Sequence, residues 1–291
     1  MKNEINYNSA AALRTFLEGE GLGMRKRFGQ NFLINPETRK ALVEALGAKG
    51  GDEVWEIGPG LGAMTTLLLE KGLAVRAFEI DPGFIKVLKR VFAEEESFTL
   101  VEGDVMKTWK EQKAPAFLLG NLPYNVASAL LADLIENGRL FTRIVVTVQK
   151  EVALRMAACA GTSDYSSFSV LCASAYKVKP LMLIHPSSFY PKPNVDSMGV
   201  LLENRNSSTY PSIFYPLVRS LFASRRKTIK NNLSVFLASR QGNFSEGTSA
   251  QDVCAAVLRE NGLDGMERAE SLEQDVFLSL AKSLENMRLY R

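Results

Sequence analysis

Apolar positions along the chain change their period more than once. Between residue 52 and about residue 158, short apolar runs at 54–57, 75–80, 98–102, 116–120 and 144–149 alternate with amphipathic stretches at 64–71, 82–93, 126–137 and 150–158. Runs of the first kind predict strands and those of the second predict helices, so the pattern implies an α/β fold: a mostly parallel central sheet with helices on both faces. Two later strands are expected at 180–184 and 195–202, separated by the proline-rich segment 186–193. Beyond residue 205 the period is helical throughout. Ile213, Phe214, Leu217, Val218, Leu221 and Phe222 share one face, Ile229, Leu233, Phe236 and Leu237 another, and Leu272, Val276, Leu280 and Leu284 a third. The expected organisation is an N-terminal appendage at 1–23, an α/β domain at 24–205 and a small helical domain at 206–291. Within the appendage, Leu13, Phe16 and Leu17 predict a helix that Gly19, Gly21 and Gly23 break. Asn35-Pro36 is an N-cap followed by proline at the first helical position, and starts a helix that runs to about residue 48.

Composition narrows this little. With 291 residues, 46% hydrophobic and 23% charged, the chain can bury a sizeable core, and its net charge is only +3. The charge is clustered in Arg25-Lys26-Arg27 and in Arg225-Arg226-Lys227 with Lys230 a turn later. Such runs suit a phosphate backbone and equally suit a solvated surface. Cys159, Cys172 and Cys254 are widely spaced, and His185 is the single histidine. No metal is expected from that set, and the sparse thiols fit a reducing compartment. The start has no apolar signal-peptide core and no run approaches the roughly 18 apolar residues of a membrane span, so a cytoplasmic protein is expected.

The residues with chemistry fall at the carboxyl ends of the expected strands, where ligands of parallel sheets bind. Glu56-Ile57-Gly58-Pro59-Gly60-Leu61-Gly62 comes directly after the first strand. Its glycines free the backbone for a sharp turn and for close approach of a ligand, although such turns also serve packing alone. Glu79, 21 residues after Gly58, ends the second strand and can accept both hydroxyls of a ribose. Asp104, in Gly103-Asp104-Val105 after the third strand, can accept from an adenine amino group or cap a helix. The glycine spacing is tighter than the dinucleotide fingerprint, and no phosphate-binding lysine stands in the loop. Adenine, ribose and an amino-acid tail without phosphate describe S-adenosyl-L-methionine.

Asn121-Leu122-Pro123-Tyr124 ends the fourth strand. An exocyclic amino group of a purine is a poor nucleophile because its lone pair is delocalised into the ring. The Asn121 side-chain oxygen and the Leu122 carbonyl can accept its two hydrogens and favour a tetrahedral nitrogen. Pro123 fixes the backbone and withholds an N–H donor. Tyr124 offers a ring face to the base and to a cationic sulfonium.

These motifs, in this order, resemble those of the ribosomal RNA adenine N6-dimethyltransferases. Gln30-Asn31-Phe32-Leu33, the glycine heptapeptide, Glu79-Ile80-Asp81, Gly103-Asp104-Val105 and Asn121-Leu122-Pro123-Tyr124-Asn125 carry the likeness, with Gln149-Lys150-Glu151, 186–197 and Arg225-Arg226-Lys227-Thr228. It runs from about Arg25 to Leu237. The resemblance implies a Rossmann-like S-adenosylmethionine-dependent methyltransferase fold. It also implies that Gln30, Asn31 and Leu33 close over the cofactor, that Gly58 and Gly60 border its methionyl part, and that Glu79 with Ile80 and Asp104 with Val105 hold ribose and adenine. Asn121 then stands between cofactor and target amine. Phe189 matches the family's second aromatic, which stacks the flipped adenine opposite Tyr124, and neighbouring Tyr190 could exchange roles with it. The segment from Arg225 to Leu233 is more similar to the small-subunit enzymes than to the macrolide-resistance enzymes that modify 23S rRNA. The activity implied by this resemblance is dimethylation of two adjacent adenosines in the 3′-terminal hairpin loop of 16S rRNA, late in small-subunit biogenesis, by a monomer that contacts RNA through the two basic clusters. A non-catalytic nucleic-acid binder on the same scaffold is the remaining alternative.

Overall fold

The central strands are buried on both faces, and successive side chains alternate between the two. The computed structural model describes residues 5–23, 30–122, 126–206, 210–240 and 249–287. In chain order its elements are α1 (Ala10–Gly19), β1 (Phe32–Leu33), α2 (Pro36–Leu46), β2 (Glu53–Ile57), α3 (Ala63–Glu70), β3 (Ala74–Glu79), α4 (Pro82–Val91), β4 (Phe98–Glu102), α5 (Val105–Thr108), β5 (Phe117–Asn121), α6 (Ala127–Glu136), β6 (Arg143–Gln149) and α7 (Lys150–Ala157). After these come α8 (Ser167–Ala175), β7 (Tyr176–Ile184), β8 (Phe189–Tyr190), β9 (Ser197–Asn204), α9 (Phe214–Leu221), α10 (Ile229–Ala238), α11 (Ala250–Glu260) and α12 (Gln274–Asn286).

Seven strands form a sheet in the order β4-β3-β2-β5-β6-β9-β7, parallel from β4 to β6 and antiparallel at β9 and β7. The chain winds outward from β2 to β4 and then crosses back to β5, so the order reverses between β2 and β5. A crevice opens at such a switch point, beyond the carboxyl ends. On one face Trp55 packs edge-on against Phe78 and Phe141, with ring centroids at 4.8 and 5.4 Å. On the other, Val54, Val75, Ala77, Leu119 and Val145 meet Leu42, Val43 and Leu46 of α2 and Met64 and Leu68 of α3. The edge strand β7 starts at Tyr176, earlier than its apolar pattern indicates. It tolerates Pro180 because its register shifts between Pro180 and Met182, at the sheet margin where a missing N–H costs least.

The chain divides into two compact units, Met1–Leu154 with Tyr176–Asn204, and Arg155–Ala175 with Arg205–Arg291. This differs from a single break near 205, because the chain leaves the first unit within α7 and returns at β7. Tyr165 and Val170 are built into the core of the helical unit with Phe214, Leu217, Phe236 and Phe277. Nor is the N-terminal segment a loose appendage. Ser9 caps α1, and Leu13 and Leu17 are buried with Phe32, Leu61, Phe84 and Val87 of the first unit. No described helix is long and apolar enough to cross a membrane.

Candidate functional site

At the switch point a cavity of about 370 Å³ lies in the first unit, within the range of ordinary small-molecule sites. Gln30, Asn31, Leu33, Gly58, Gly60, Glu79, Ile80, Asp104, Val105 and Asn121, from segments scattered over some ninety positions, all line it. Parallel strands ending on one side bring together those from Gly58 to Asn121, and the segment at β1, in a separate two-stranded sheet, adds Gln30, Asn31 and Leu33.

The floor is the glycine turn between β2 and α3. Gly58, Gly60 and Gly62 have φ of 68°, 61° and 93°, the left-handed region that side chains disfavour. A Cβ on Gly60 would lie 3.0 Å from the Phe32 ring, and one on Gly62 would lie 2.6 Å from the ring of Phe92. Under the turn, Glu56 is fully buried on β2. Its Oε2 accepts the Thr65 hydroxyl at 2.6 Å, while Oε1 has no partner among the described residues. Burial pushes this carboxyl up to about 7, against the bond from Thr65 and with a smaller push from Glu79.

Glu79, at the end of β3, accepts backbone N–H bonds from Ile80 at 2.9 Å and Asp81 at 2.8 Å on Oε1, and from Gly60 at 3.2 Å on Oε2. It thereby ties the glycine turn to β3. Burial pushes it up to about 7 as well, opposed by those donors. A carboxylate has about four acceptor positions, so Oε2 keeps one for a hydroxyl. Beside it Ile80 is 41% exposed, an apolar surface facing a cavity. Of the two roles that the sequence left open for Asp104, the structure shows the helix cap. Its Oδ1 caps α5 by accepting from Met106 N at 3.0 Å, and Oδ2 has no protein partner among the described residues.

Asn121 ends β5 on the same sheet face as Glu56 and Glu79, and its Nδ2 donates to Asn31 O at 2.8 Å. The amide is therefore oriented by the segment from Gln30 to Leu33. Gln30 in turn donates from Nε2 to Asp81 Oδ2 at 3.0 Å, and Asp81 caps α4. Leu122 is buried, with its N–H on Thr147 O at 3.2 Å. Pro123 and Tyr124 lie outside the described residues, as do Arg25, Lys26 and Arg27.

Two sequence assignments meet a different environment. Phe189 is 2% exposed and packs with Leu33 and Leu42, because β8 pairs antiparallel with β1 and the two-residue period turns Phe189 inward. Tyr190, opposite Phe32, is the half-buried ring of the pair and packs with the cluster containing Phe32 and Leu61. Arg225 in the helical unit is engaged internally. Its Nε donates to Glu270 Oε2 at 3.2 Å and Nη2 to Ser163 O at 2.9 Å and Tyr165 O at 3.3 Å. Arg226, Lys227 and Lys230 are exposed.

Several lining residues escaped the sequence reading, among them Met64, Phe84 and Met106, and the charged one is Arg39. Arg39 is 5% exposed. Its signal was a charge at the first position of the buried stripe Arg39, Leu42, Val43 and Leu46 of α2.

The donor set fits S-adenosylmethionine: a glycine cradle that a Cβ would crowd, one open acceptor on Glu79, one on Asp104, and apolar Ile80 between them. Known proteins point the same way. The family model described as ribosomal RNA adenine dimethylase matches residues 21–263. The ribosomal RNA small subunit methyltransferase A of Treponema denticola is 46% identical over 285 residues, covering 95% of this chain and 94% of that protein. Among solved structures, a dimethyladenosine transferase from Plasmodium falciparum is similar with a TM-score of 0.77 and 29% identity, over 87% of this chain and 97% of that one. The 23S rRNA methyltransferase ErmE shares the fold, with a TM-score of 0.62 at 20% identity over 87% of this chain and 99% of its own. A family match spanning most of the chain, on a scaffold whose strand ends gather Gly58, Glu79, Asp104 and Asn121 at one cavity, shows that the chain belongs to the ribosomal RNA adenine dimethylase family.

Proposed function

We propose that this protein transfers methyl groups from S-adenosyl-L-methionine to N6 of two adjacent adenosines in the 3′-terminal hairpin loop of 16S rRNA, in the cytoplasm and late in small-subunit assembly. The observation that carries the chemistry is the Asn121 amide, pinned through Nδ2 to Asn31 O at 2.8 Å at the wall of the cavity. Nδ2 is committed, so Oδ1 is the end available to accept a hydrogen from an incoming amino group. The substrate is argued from the small-subunit methyltransferase of Treponema denticola at 46% identity, against the fold-level likeness to ErmE.

Glu79 holds the ribose through Oε2, Asp104 the adenine amino group through Oδ2, and Ile80 lies against the adenine ring. Gly58 and Gly60 leave room for the methionyl part, closed over by Asn31 and Leu33. The bound cofactor supplies an electrophilic methyl on a sulfonium. Asn121 Oδ1 and the Leu122 carbonyl accept hydrogen bonds from the two amino hydrogens in the first transfer, and one of them from the remaining hydrogen in the second, which restores lone-pair density to N6; the proton that the methylated nitrogen sheds passes to solvent. Tyr124 stacks the flipped base, with Phe189 or Tyr190 on its other face. Flipping costs a few kcal/mol, which this stacking and phosphate contacts offset. Positioning and fixed dipoles are the catalytic terms.

The test is mass spectrometry of the 3′ end of 16S rRNA after incubation of undermethylated 30S particles with enzyme and labelled cofactor. Wild-type protein is expected to add methyls to both adenosines. Asn121→Ala should lose transfer by at least a hundredfold while binding S-adenosylhomocysteine within a few-fold of wild type. Label in 23S rRNA instead would move the assignment to the resistance-type activity, and cofactor binding with transfer to neither RNA would indicate a non-catalytic binder.

A further inference from the structure

Arg39 is a buried cation without a counter-ion in contact among the described residues. Its acceptors are all neutral: Leu33 O at 2.6 Å and Tyr7 O at 3.1 Å from Nη1, and Asn8 Oδ1 from Nη2. Nε is buried with no partner among the described residues. Burying a guanidinium on these terms is costly, and an apolar residue would continue the stripe of α2 better. The side chain joins two segments. One is the N-terminal stretch at Tyr7 and Asn8; the other is β1, which contributes Leu33 to the cavity wall and begins just after Asn31, the acceptor for Asn121.

Tyr7 makes a second connection, to the glycine turn. Its hydroxyl donates to Leu61 O at 2.9 Å, inside the glycine turn. The rest of the segment is anchored beyond these links. Leu13 and Leu17 are buried with Phe32, Leu61 and Phe84; Glu20 pairs bidentately with Arg90 of α4 at 2.7 and 3.0 Å; and a Cβ on Gly83 would collide with Leu22. Most of this segment precedes residue 21, where the match to the family model begins.

We propose that residues 5–22 are a brace that sets the width of the cofactor cavity, with Arg39 and Tyr7 as its positioning residues. Arg39, which itself lines the cavity, holds β1, and Tyr7 holds the glycine turn, each through a backbone carbonyl. The inference rests on the cavity being the cofactor site.

The experiment is titration calorimetry of S-adenosylhomocysteine with the full-length protein at about 20 °C, where each variant is checked to be folded, together with steady-state kinetics on 30S particles. Arg39→Met is expected to weaken binding about tenfold, or about 1.4 kcal/mol. Arg39→Lys, which still reaches one carbonyl, should recover part of that loss. Tyr7→Phe keeps the ring and removes the hydroxyl that bonds Leu61 O, and should weaken binding about threefold. The KM for cofactor should rise by the same factors while kcat at saturation holds. Should Arg39→Met not fold, Arg39→Lys and Tyr7→Phe carry the test. Wild-type affinity in those two variants, whatever their melting temperatures, overturns the brace. Wild-type protein that takes up no S-adenosylhomocysteine overturns the cofactor reading and the brace with it.

Discussion

The carboxyl under the glycine turn makes a prediction whose size is set by its position. Glu56 is fully buried, has one oxygen without a partner among the described residues, and is raised from an ordinary 4.5 to about 7. Between those values the folded protein holds a proton that the unfolded chain has released, so stability contributed by the protonated form is fully present below 4.5 and is lost as pH rises through 7. Each unit of difference corresponds to about 1.36 kcal/mol, so the whole loss is on the order of 3 kcal/mol, of which about 2 kcal/mol falls between about pH 5.5 and 8.5. Glu56→Gln removes this titration and keeps an oxygen for the Thr65 hydroxyl. Urea unfolding at the two pH values, followed by tryptophan fluorescence, reports the right unit, because Trp55 and Trp109 both lie in it. Titrations of groups that do not interact with Glu56 cancel in the difference between wild type and variant, which leaves the smaller contribution of Glu79. The variant should gain about 2 kcal/mol relative to wild type on going from about pH 5.5 to 8.5. A difference that is the same at both pH values would show that Glu56 does not hold a proton near neutrality and would refute the reasoning.

Other substitutions separate roles that the chain combines. Gly60→Ala places a methyl 3.0 Å from the Phe32 ring at a φ of 61°, and S-adenosylhomocysteine affinity measured by calorimetry should fall about tenfold. In the helical unit, Arg225→Ala should lower stability by about 1 kcal/mol in chemical unfolding, because it releases the Ser163 and Tyr165 carbonyls and Glu270. It should leave the salt dependence of RNA binding unchanged. Arg226→Ala and Lys227→Ala, exposed like Arg225 but without its bonds to Glu270, Ser163 and Tyr165, should do the reverse, each lowering the log–log salt slope by about one in filter binding. Wild-type slopes in all three variants would remove the phosphate-contact role from this cluster.

The contrast between Arg225 and its neighbours marks where sequence reading stops. A run of basic residues shows that charge is dense, but the carboxylate that engages Arg225 comes from Glu270, 45 positions away. Arg39 was hidden for a related reason: a lone charge on an apolar stripe reads as an irregularity until its acceptors on Tyr7, Asn8 and Leu33 are seen. Phe189 illustrates a third limit, since β1 and β8 are two residues long and carry no period from which the inward face could be read. By contrast, the strand ends at Gly58, Glu79, Asp104 and Asn121 were legible because parallel topology alone puts them on one side of the sheet. The helix α11 was legible too and was overlooked: Ser249 and Asp252 form a capping box ahead of Val253, Val257 and Leu258. Legibility thus tracked range. Features set by local period or by the direction of neighbouring strands could be read, and those set by one distant partner could not.

Asn121 joins the two kinds of feature. Its place at the end of β5 is a consequence of topology, whereas its orientation depends on the carbonyl of Asn31, 90 positions earlier. The oxygen and nitrogen of an amide are hard to tell apart by shape, but chemistry decides here. A carbonyl can face only the NH₂ end, so Oδ1 must point the other way. The segment that lines the cofactor cavity is therefore also the one that turns the Asn121 acceptor outward. On the proposed reading Asn31 lies against the methyl donor while its carbonyl holds the Asn121 amide, so cofactor and amine acceptor depend on one segment.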